Sequence, residues 1–307
     1  MMAEIDINTS TVKAIVIKKQ RSLWQEAWRR FLKNKLAVIS LIFLMTMVFL
    51  AFGTIVIDFV TDGKFYQQNV INQNLRLRLK PPSGEHIFGT DEFGRDMFLR
   101  IIWGIRYSLF MSVISIIFSV VVGGFLGSIA GYYGKRIDNV VMRAMDILLA
   151  IPPMLLATAI VAALGTSLVN VLIAIAISTV PTFARIVRAA ILTIKDQEFI
   201  EAATALGASD FRKIMKYIIP NAMSPIIVQA TMGTAGALLN IAGLSFLGLG
   251  IQPPTPEWGT MLSNARTYMR DAWHITVIPG IAIMLTILSL NLMGDGLRDA
   301  LDPKMKR

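Results

Sequence analysis

Cysteine is missing from all 307 residues, so the chain holds no disulfide and no thiolate metal site. Histidine is nearly missing as well. His86 and His274 are too few and too far apart to form a metal cluster. Charged residues make up only 16% of the chain, against roughly 25% in a soluble domain. No G-x-x-x-x-G-K-[ST] loop occurs, so the chain is not expected to bind ATP itself. No Ser/His/Asp or H-E-x-x-H grouping stands at useful spacing, which argues against an intramembrane enzyme. Apolar residues are what is abundant. They form 54% of the chain and give it a mean hydropathy of +0.60, which places it among integral membrane proteins. A net charge of +10 would suggest nucleic acid in a soluble protein. Here Lys and Arg cluster in loops beside apolar runs, so the partner they imply is the bilayer and not nucleic acid.

Six membrane-spanning helices follow from the apolar runs. Residues 1–35 carry eight Lys or Arg and no small-residue cleavage site, and are taken as retained. Within them Trp24, Ala27, Trp28, Phe31 and Leu32 share one helical face, the pattern of a helix lying in the membrane interface. The expected spans are 36–57, 107–132, 145–164, 168–188, 221–247 and 275–293. A loop over 58–106 joins the first two. In it Thr90 reads as a helix N-cap, with Asp91 and Glu92 at the positive end of the helix. Asp91, Glu92 and Asp96 lack the oxygen-donor ladder of a calcium loop, and pairing with Arg95 and Arg100 suits them better. Gly123, Gly127 and Gly131, at four-residue spacing, suit close helix packing in lipid. Residues 147–184 are uncharged, too long a run for one crossing, and divide at Gly165-Thr166-Ser167. Pro152, Pro153 and Pro181 fall inside the two resulting spans. A polar tail closes the chain at 294–307. Six spans put both termini on one side. That side holds 21 Lys or Arg and the other 9, which makes the first cytoplasmic.

Between the fourth and fifth spans lies a charged island, 196–220. It reads as a helix, a break at Gly207, and a second helix that Ser209 or Asp210 caps and Pro220 follows. Phe199, Ala203 and Leu206 fall on one face of the first helix; Phe211, Ile214, Met215 and Ile218 make a stripe on the second. An amphipathic elbow outside the bilayer must cover its apolar face. It either packs on its own membrane body, or docks Phe199, Ile200, Ala203 and Leu206 in a groove of a cytoplasmic partner, with Glu201 pairing a basic group. Composition leaves both open. No acid or base lies in the middle of a span, which counts against a proton- or sodium-driven carrier. Thr231, Thr234, Asn240 and Ser245 are candidates for a polar path in the fifth span, or equally for helix–helix contacts.

EAATALG with Pro220 resembles the EAA loop of binding-protein-dependent ABC importer permeases, in which EAA, three residues, G and nine residues precede I-x-L-P. Glu201, Ala202, Ala203, Gly207 and Pro220 match, while Tyr217 and Ile219 depart from the Ile and Leu. FGTDEFGRD, RAMDILLAIPPMLLA, FARIVRAAIL, GLSFLGLGIQPPTPEWG and MGDGLRDALDPK resemble the C-type permease subunit of dipeptide/oligopeptide importers, over about Arg29 to Lys304. The resemblance implies a type I ABC importer permease fold in a prokaryotic inner membrane. It implies that the elbow, Phe199 to Gly207 with Pro220, is a coupling helix seated on one of two ATPase subunits, which hold the ATP and Mg. It further implies a homologous B-type permease beside this chain and a solute-binding protein outside. Peptides are the expected cargo. Nickel chelates or another small solute are the alternative within the class, and a stand-alone channel or carrier is the alternative outside it.

Overall fold

The computed structural model describes residues 23–301. The basic residues Lys13, Lys18, Lys19 and Arg21, the end of the tail with Lys304, Lys306 and Arg307, and the side chain of Trp24 lie outside the described residues. Every element longer than a turn is a helix: α1 (Leu23–Phe31), α2 (Lys35–Val60), α3 (Met97–Tyr133), α4 (Lys135–Leu149), α5 (Pro153–Leu164), α6 (Leu168–Ile194), α7 (Glu198–Ala205), α8 (Asp210–Phe246), α9 (Trp258–Ala265) and α10 (His274–Leu301). Five of them, α2, α3, α6, α8 and α10, are long and apolar enough to cross a membrane. Backbone groups in lipid must be satisfied within the segment, which is why the apolar runs form helices.

The closest pairing in the bundle is α3 on α6, and small residues make it. Ser115 Oγ donates to Leu172 O at 3.3 Å, and Ser119 Oγ to Ala176 O at 2.9 Å. One α3 turn further, a Cβ on Gly123 would stand 2.6 Å from Val180 O. Gly127 lies under Ala184 and Gly131 under Arg188 and Ile191 in the same way. Each rung keeps a sequence offset of 57, so the two helices run parallel and in register. The spacing of small residues predicted such an approach, and the partner row on α6 is the finding.

That parallel register decides how the third span works. Leu168 stands level with Met111, so the chain after Tyr133 must climb past about 22 residues of α3, roughly 33 Å, to begin α6. No straight helix makes the climb. The expected span 145–164 is instead the bent pair α4 and α5, which meet at 84°. Pro152 is the extended residue at the bend, and Pro153 opens α5 in its first turn. The prolines separate two helices instead of kinking one. α4 is then held along α6 by two ion pairs, Asp138 with Arg188 and Asp146 with Arg185, both at 2.5 Å.

The other boundaries shift for local reasons. α3 begins at Met97, ten residues before the expected span, because the capped helix of the loop runs unbroken into it; the cap is Asp96 and not Thr90, and its carboxylate accepts from Leu99 N at 3.0 Å. Thr90 is tied elsewhere, to the backbone of Leu77 and Lys80. α6 continues to Ile194. The helix after the elbow break does not stop at Pro220. It passes through a wide π turn, Lys213–Ile218, straight into the next span, and Pro220 sits in the first α-turn after it. α10 runs to Leu301, so 294–301 are helix and not tail. Its last turns carry Ala300 against Phe31 of α1 and Ala37 of α2. Trp28 on α1 and Leu32 in the turn after it remain uncovered, as an interfacial helix requires.

Candidate functional site

α7 is a short helix with a strong stop. Gly207 adopts a left-handed φ of +77°. Its N–H donates to Thr204 O at 2.9 Å, and that of Ala208 to Ala203 O at 3.0 Å. This paired closure is the Schellman motif, and it needs a residue without a Cβ penalty. Ser209 then caps α8 through the backbone N–H of Arg212. Nothing lies within 4 Å of a Cβ built on Gly207, so the requirement there is backbone conformation and not space.

The structure divides the expected contact residues between two sides of α7. Ile200 and Ala203 are buried, and Ile200 packs with Val187, Ile191 and Ile194 of α6 and Ile218, Ala222 and Ile226 of α8. They fasten α7 to its own chain. Phe199, Glu201, Ala202 and Leu206 face away from the body, with Leu206 88% exposed. Phe211 and Met215 on the first turns of α8 are uncovered as well, while Ile218 is buried. The apolar stripe is therefore split. Half of it packs inward, and the other half is presented outward.

A polar tie joins α7, α8 and α3, and sequence reasoning missed it. Lys213 is one of the basic residues of the elbow, and it is buried. Its Nζ lies 3.0 Å from Asp210 Oδ1 and 3.4 Å from Thr204 Oγ1, with the Tyr132 ring beneath it at 5.7 Å. Tyr132 donates to Asp210 at 2.7 Å. Only the three-residue spacing of Asp210 and Lys213 is a local signal. Tyr132 is distant in sequence and enters through packing. A push on α7 thus reaches the ends of three spans: α6 and α8 through the Ile200 cluster, and α3 through Tyr132.

At the opposite end of the bundle charges are buried and locked. Asp91 accepts from the backbone N–H groups of Phe93 and Arg95 at 2.9 Å, and from Arg95 Nε at 2.6 Å. Arg100 Nε approaches the same carboxylate at 3.3 Å, and its Nη1 donates to Val70 O and Pro254 O. Burial, and then the Asp91 carboxylate, hold the Glu92 carboxyl above its usual range. Glu257 is buried between α3 and the start of α9, accepting from Gly259 N, Thr260 N and Ser108 Oγ. Trp258 Nε1 donates to Ile101 O at 3.0 Å. The loops 61–96 and 247–257 are thereby riveted to α3.

The four residues considered for a pathway do not form one surface. Thr231 and Thr234 donate to carbonyls of their own helix, Ile227 O and Ala230 O. Ser245 is buried at the end of α8, its hydroxyl without a partner among the described residues. These three fall within about 60° on a 3.6-residue helix. Asn240 points elsewhere, toward the side of α8 that also carries the exposed Gly236 and Leu239. No grouping of three or more His, Cys, Asp or Glu suited to a metal occurs among the described residues.

Comparison with known proteins places this arrangement. The family model for the binding-protein-dependent transport system inner membrane component matches residues 123–307. The model for the N-terminal TM domain of oligopeptide transport permease C matches residues 22–82. A dipeptide transport system permease protein of Alkalihalophilus pseudofirmus is 48% identical over 93% of this chain and 91% of its own length. A di/tripeptide transport system permease protein of Pseudomonas aeruginosa is 44% identical, covering 92% of both chains. A glutathione transport system permease protein of Pectobacterium atrosepticum is 41% identical over 97% and 96%. Among solved structures, an inward-facing methionine ABC transporter matches 67% of this chain and 98% of its own, with a TM-score of 0.55 and 20% identity, a likeness of fold. The chain belongs to the binding-protein-dependent transport system inner membrane component family. It is a multi-pass permease subunit of an ABC importer and not itself an enzyme.

Proposed function

We propose that this permease, as a member of that family, forms half of the translocation pathway of an ATP-driven importer of short peptides, with a homologous B-type permease as the other half. α7 faces the cytoplasm and is the coupling helix, seated on one of two ATPase subunits. A solute-binding protein delivers cargo at the opposite end, on the loops fixed around Asp91 and Glu257. The single observation that carries this reading is the two-sidedness of α7. Its inner side buries Ile200 in a cluster with α6 and α8, with Ala203 buried beside it, and its outer side leaves Phe199, Ala202 and Leu206 exposed among the described residues. A helix built this way transmits force only if a partner holds the outer side. Glu201 is the polar member of that side, and Gly207 and Pro220 set where α7 stops and α8 begins. Asn240 is the residue of α8 proposed to face the pathway.

Peptide cargo is supported by the names of the relatives, since a dipeptide, a di/tripeptide and the tripeptide glutathione share one chemistry. The energetic scheme needs no nucleotide on this chain. ATP binding draws the ATPase pair together, α7 moves with it, and the spans change between two packings. Affinity purification of the tagged chain from its native membrane should bring down two ATPase subunits and one second permease. The reconstituted assembly with its binding protein should take up dipeptides only when ATP is present. Flux through this chain alone in vesicles would instead mark a channel or carrier.

A further inference from the structure

Between α3 and α8, at the α7 end, lies an apolar groove of about 500 Å3. Val121, Gly124 and Phe125 form one wall, and Met215, Met223 and Ile226 the other. Among the lining side chains only Ser128 and Tyr133 carry a hydroxyl. An apolar cavity of about 150 Å3 takes one benzene ring. This groove therefore takes roughly three such units, the carbon count of one long acyl chain.

Charge marks one end of it. The α3 wall ends at Tyr133, and Lys135 and Arg136 follow at once. The α8 wall begins at Phe211, and Arg212 and Lys216 stand among its residues. All four cations are exposed, and none is in an ion pair among the described residues. The neighbouring acids are already engaged, Asp138 by Arg188 and Asp210 by Lys213. The other end of the groove runs along 107–132 and 217–256, which hold no charge at all. An apolar slot that opens on cations at one end only fits an amphiphile with a single anionic head.

We propose that the groove holds an acyl chain of an anionic phospholipid, with its phosphate on Arg212, Lys216 and the Lys135–Arg136 turn. Basic flanks beside spans attract acidic lipids in this way. Such a lipid would wedge between α3 and the start of α8, one turn from the Tyr132–Asp210–Lys213 tie. It would thus stiffen or loosen the joint through which α7 acts. The proposal rests on the importer reading only for which leaflet supplies the lipid.

The assembled importer, reconstituted in vesicles of equimolar phosphatidylglycerol and phosphatidylcholine, provides the test. Each lipid in turn carries a photoactivatable diazirine on its acyl chain, and adducts are mapped by mass spectrometry. Phosphatidylglycerol adducts should concentrate on Val121, Phe125 and Met215, above the level on the lipid-facing Phe49 and Phe52 of α2. A Cβ on Gly124 meets only Val187, at 4.0 Å, so the backbone there has room for a side chain, and Gly124→Leu is chosen to fill the groove. It should cut groove labelling at least about tenfold, the loss of roughly two buried methylenes, and leave α2 labelling unchanged. Arg212→Ala with Lys216→Ala should lower the preference for phosphatidylglycerol by roughly tenfold or more. Groove labelling no higher than on α2, indifference to Gly124→Leu, or equal capture of both lipids by the wild type would overturn the proposal. So would shielding of the groove by the second permease. Capture is read whether or not the complex transports, so failure here and failure of the importer reading give different results.

Discussion

The two ends of this bundle carry similar residues and put them to opposite use. At the end built on Asp91, Arg100 and Glu257, charged side chains are buried, and their hydrogen bonds tie loop to helix. At the α7 end the charges are paired across helices nearer the surface, Lys213 with Asp210, Arg188 with Asp138 and Arg185 with Asp146, and large apolar side chains are left uncovered. A buried carboxylate with several donors fixes one geometry, because every alternative leaves a charge unpaired. A short helix held by one apolar cluster has few contacts to lose. In the proposed importer this division suits two tasks: a rigid end keeps its shape for a binding protein, and an end held by fewer buried ties can follow an ATPase.

The contrast can be broken at either end. The largest effect is expected for Asp91→Ala, which leaves Arg95 and Arg100 buried without their carboxylate. A loss of about 3–5 kcal/mol should appear as a lower unfolding midpoint of the purified complex. Arg76→Ala, exposed on the same loop, should leave the midpoint unchanged. Next comes Lys213→Met, which cuts the tie to Tyr132 and Asp210. Peptide uptake should fall roughly tenfold while ATP hydrolysis persists, the mark of lost coupling. Gly207→Val should come third. Forcing a β-branched residue to a φ of +77° costs roughly 1–2 kcal/mol locally. Insertion and assembly should survive it, with uptake lowered against hydrolysis.

The smallest effect sharpens the rigid end. Glu92 binds its proton more readily folded than unfolded, because its pKa is raised by burial. Such a group adds stability below the ordinary value of 4.5, and that contribution is lost as pH rises through the raised folded value. Glu92→Gln keeps the neutral form at every pH. Its midpoint should match the wild type in acid and exceed it modestly at neutral pH. A gap that widens in acid instead would contradict the burial argument.

Much of this was legible in the sequence. Uncharged runs gave the spans, and glycines at four-residue spacing predicted a close helix pair. Gly207 marked the break in the elbow. What escaped depends on partners far along the chain. Pro152 and Pro153 were visible, but only the register of α3 on α6 turns them into the corner of a broken crossing. Thr90 and Asp96 are both good caps, and the choice fell to Asp96 because Thr90 was already bonded to Leu77. The stripe of α7 was found, yet periodicity cannot say which flank of a short helix its own body covers. That is why Ile200 and Ala203 stood beside Leu206 as contact residues until the packing separated them. Thr231 and Thr234 bond carbonyls of their own helix, as threonine in a helix can, and residue type alone does not announce that.

The account turns on the outer side of α7 meeting an ATPase. The chain has no cysteine, so one introduced thiol is unique in it. Leu206→Cys and Ala203→Cys, each placed in the assembled complex and treated with a short thiol cross-linker, test the claim directly. Cross-linking of Leu206→Cys to an ATPase subunit, with Ala203→Cys inert, is the predicted result. A Leu206→Cys thiol that stays freely reactive toward a water-soluble maleimide in the assembled complex, and joins to no ATPase, would contradict it.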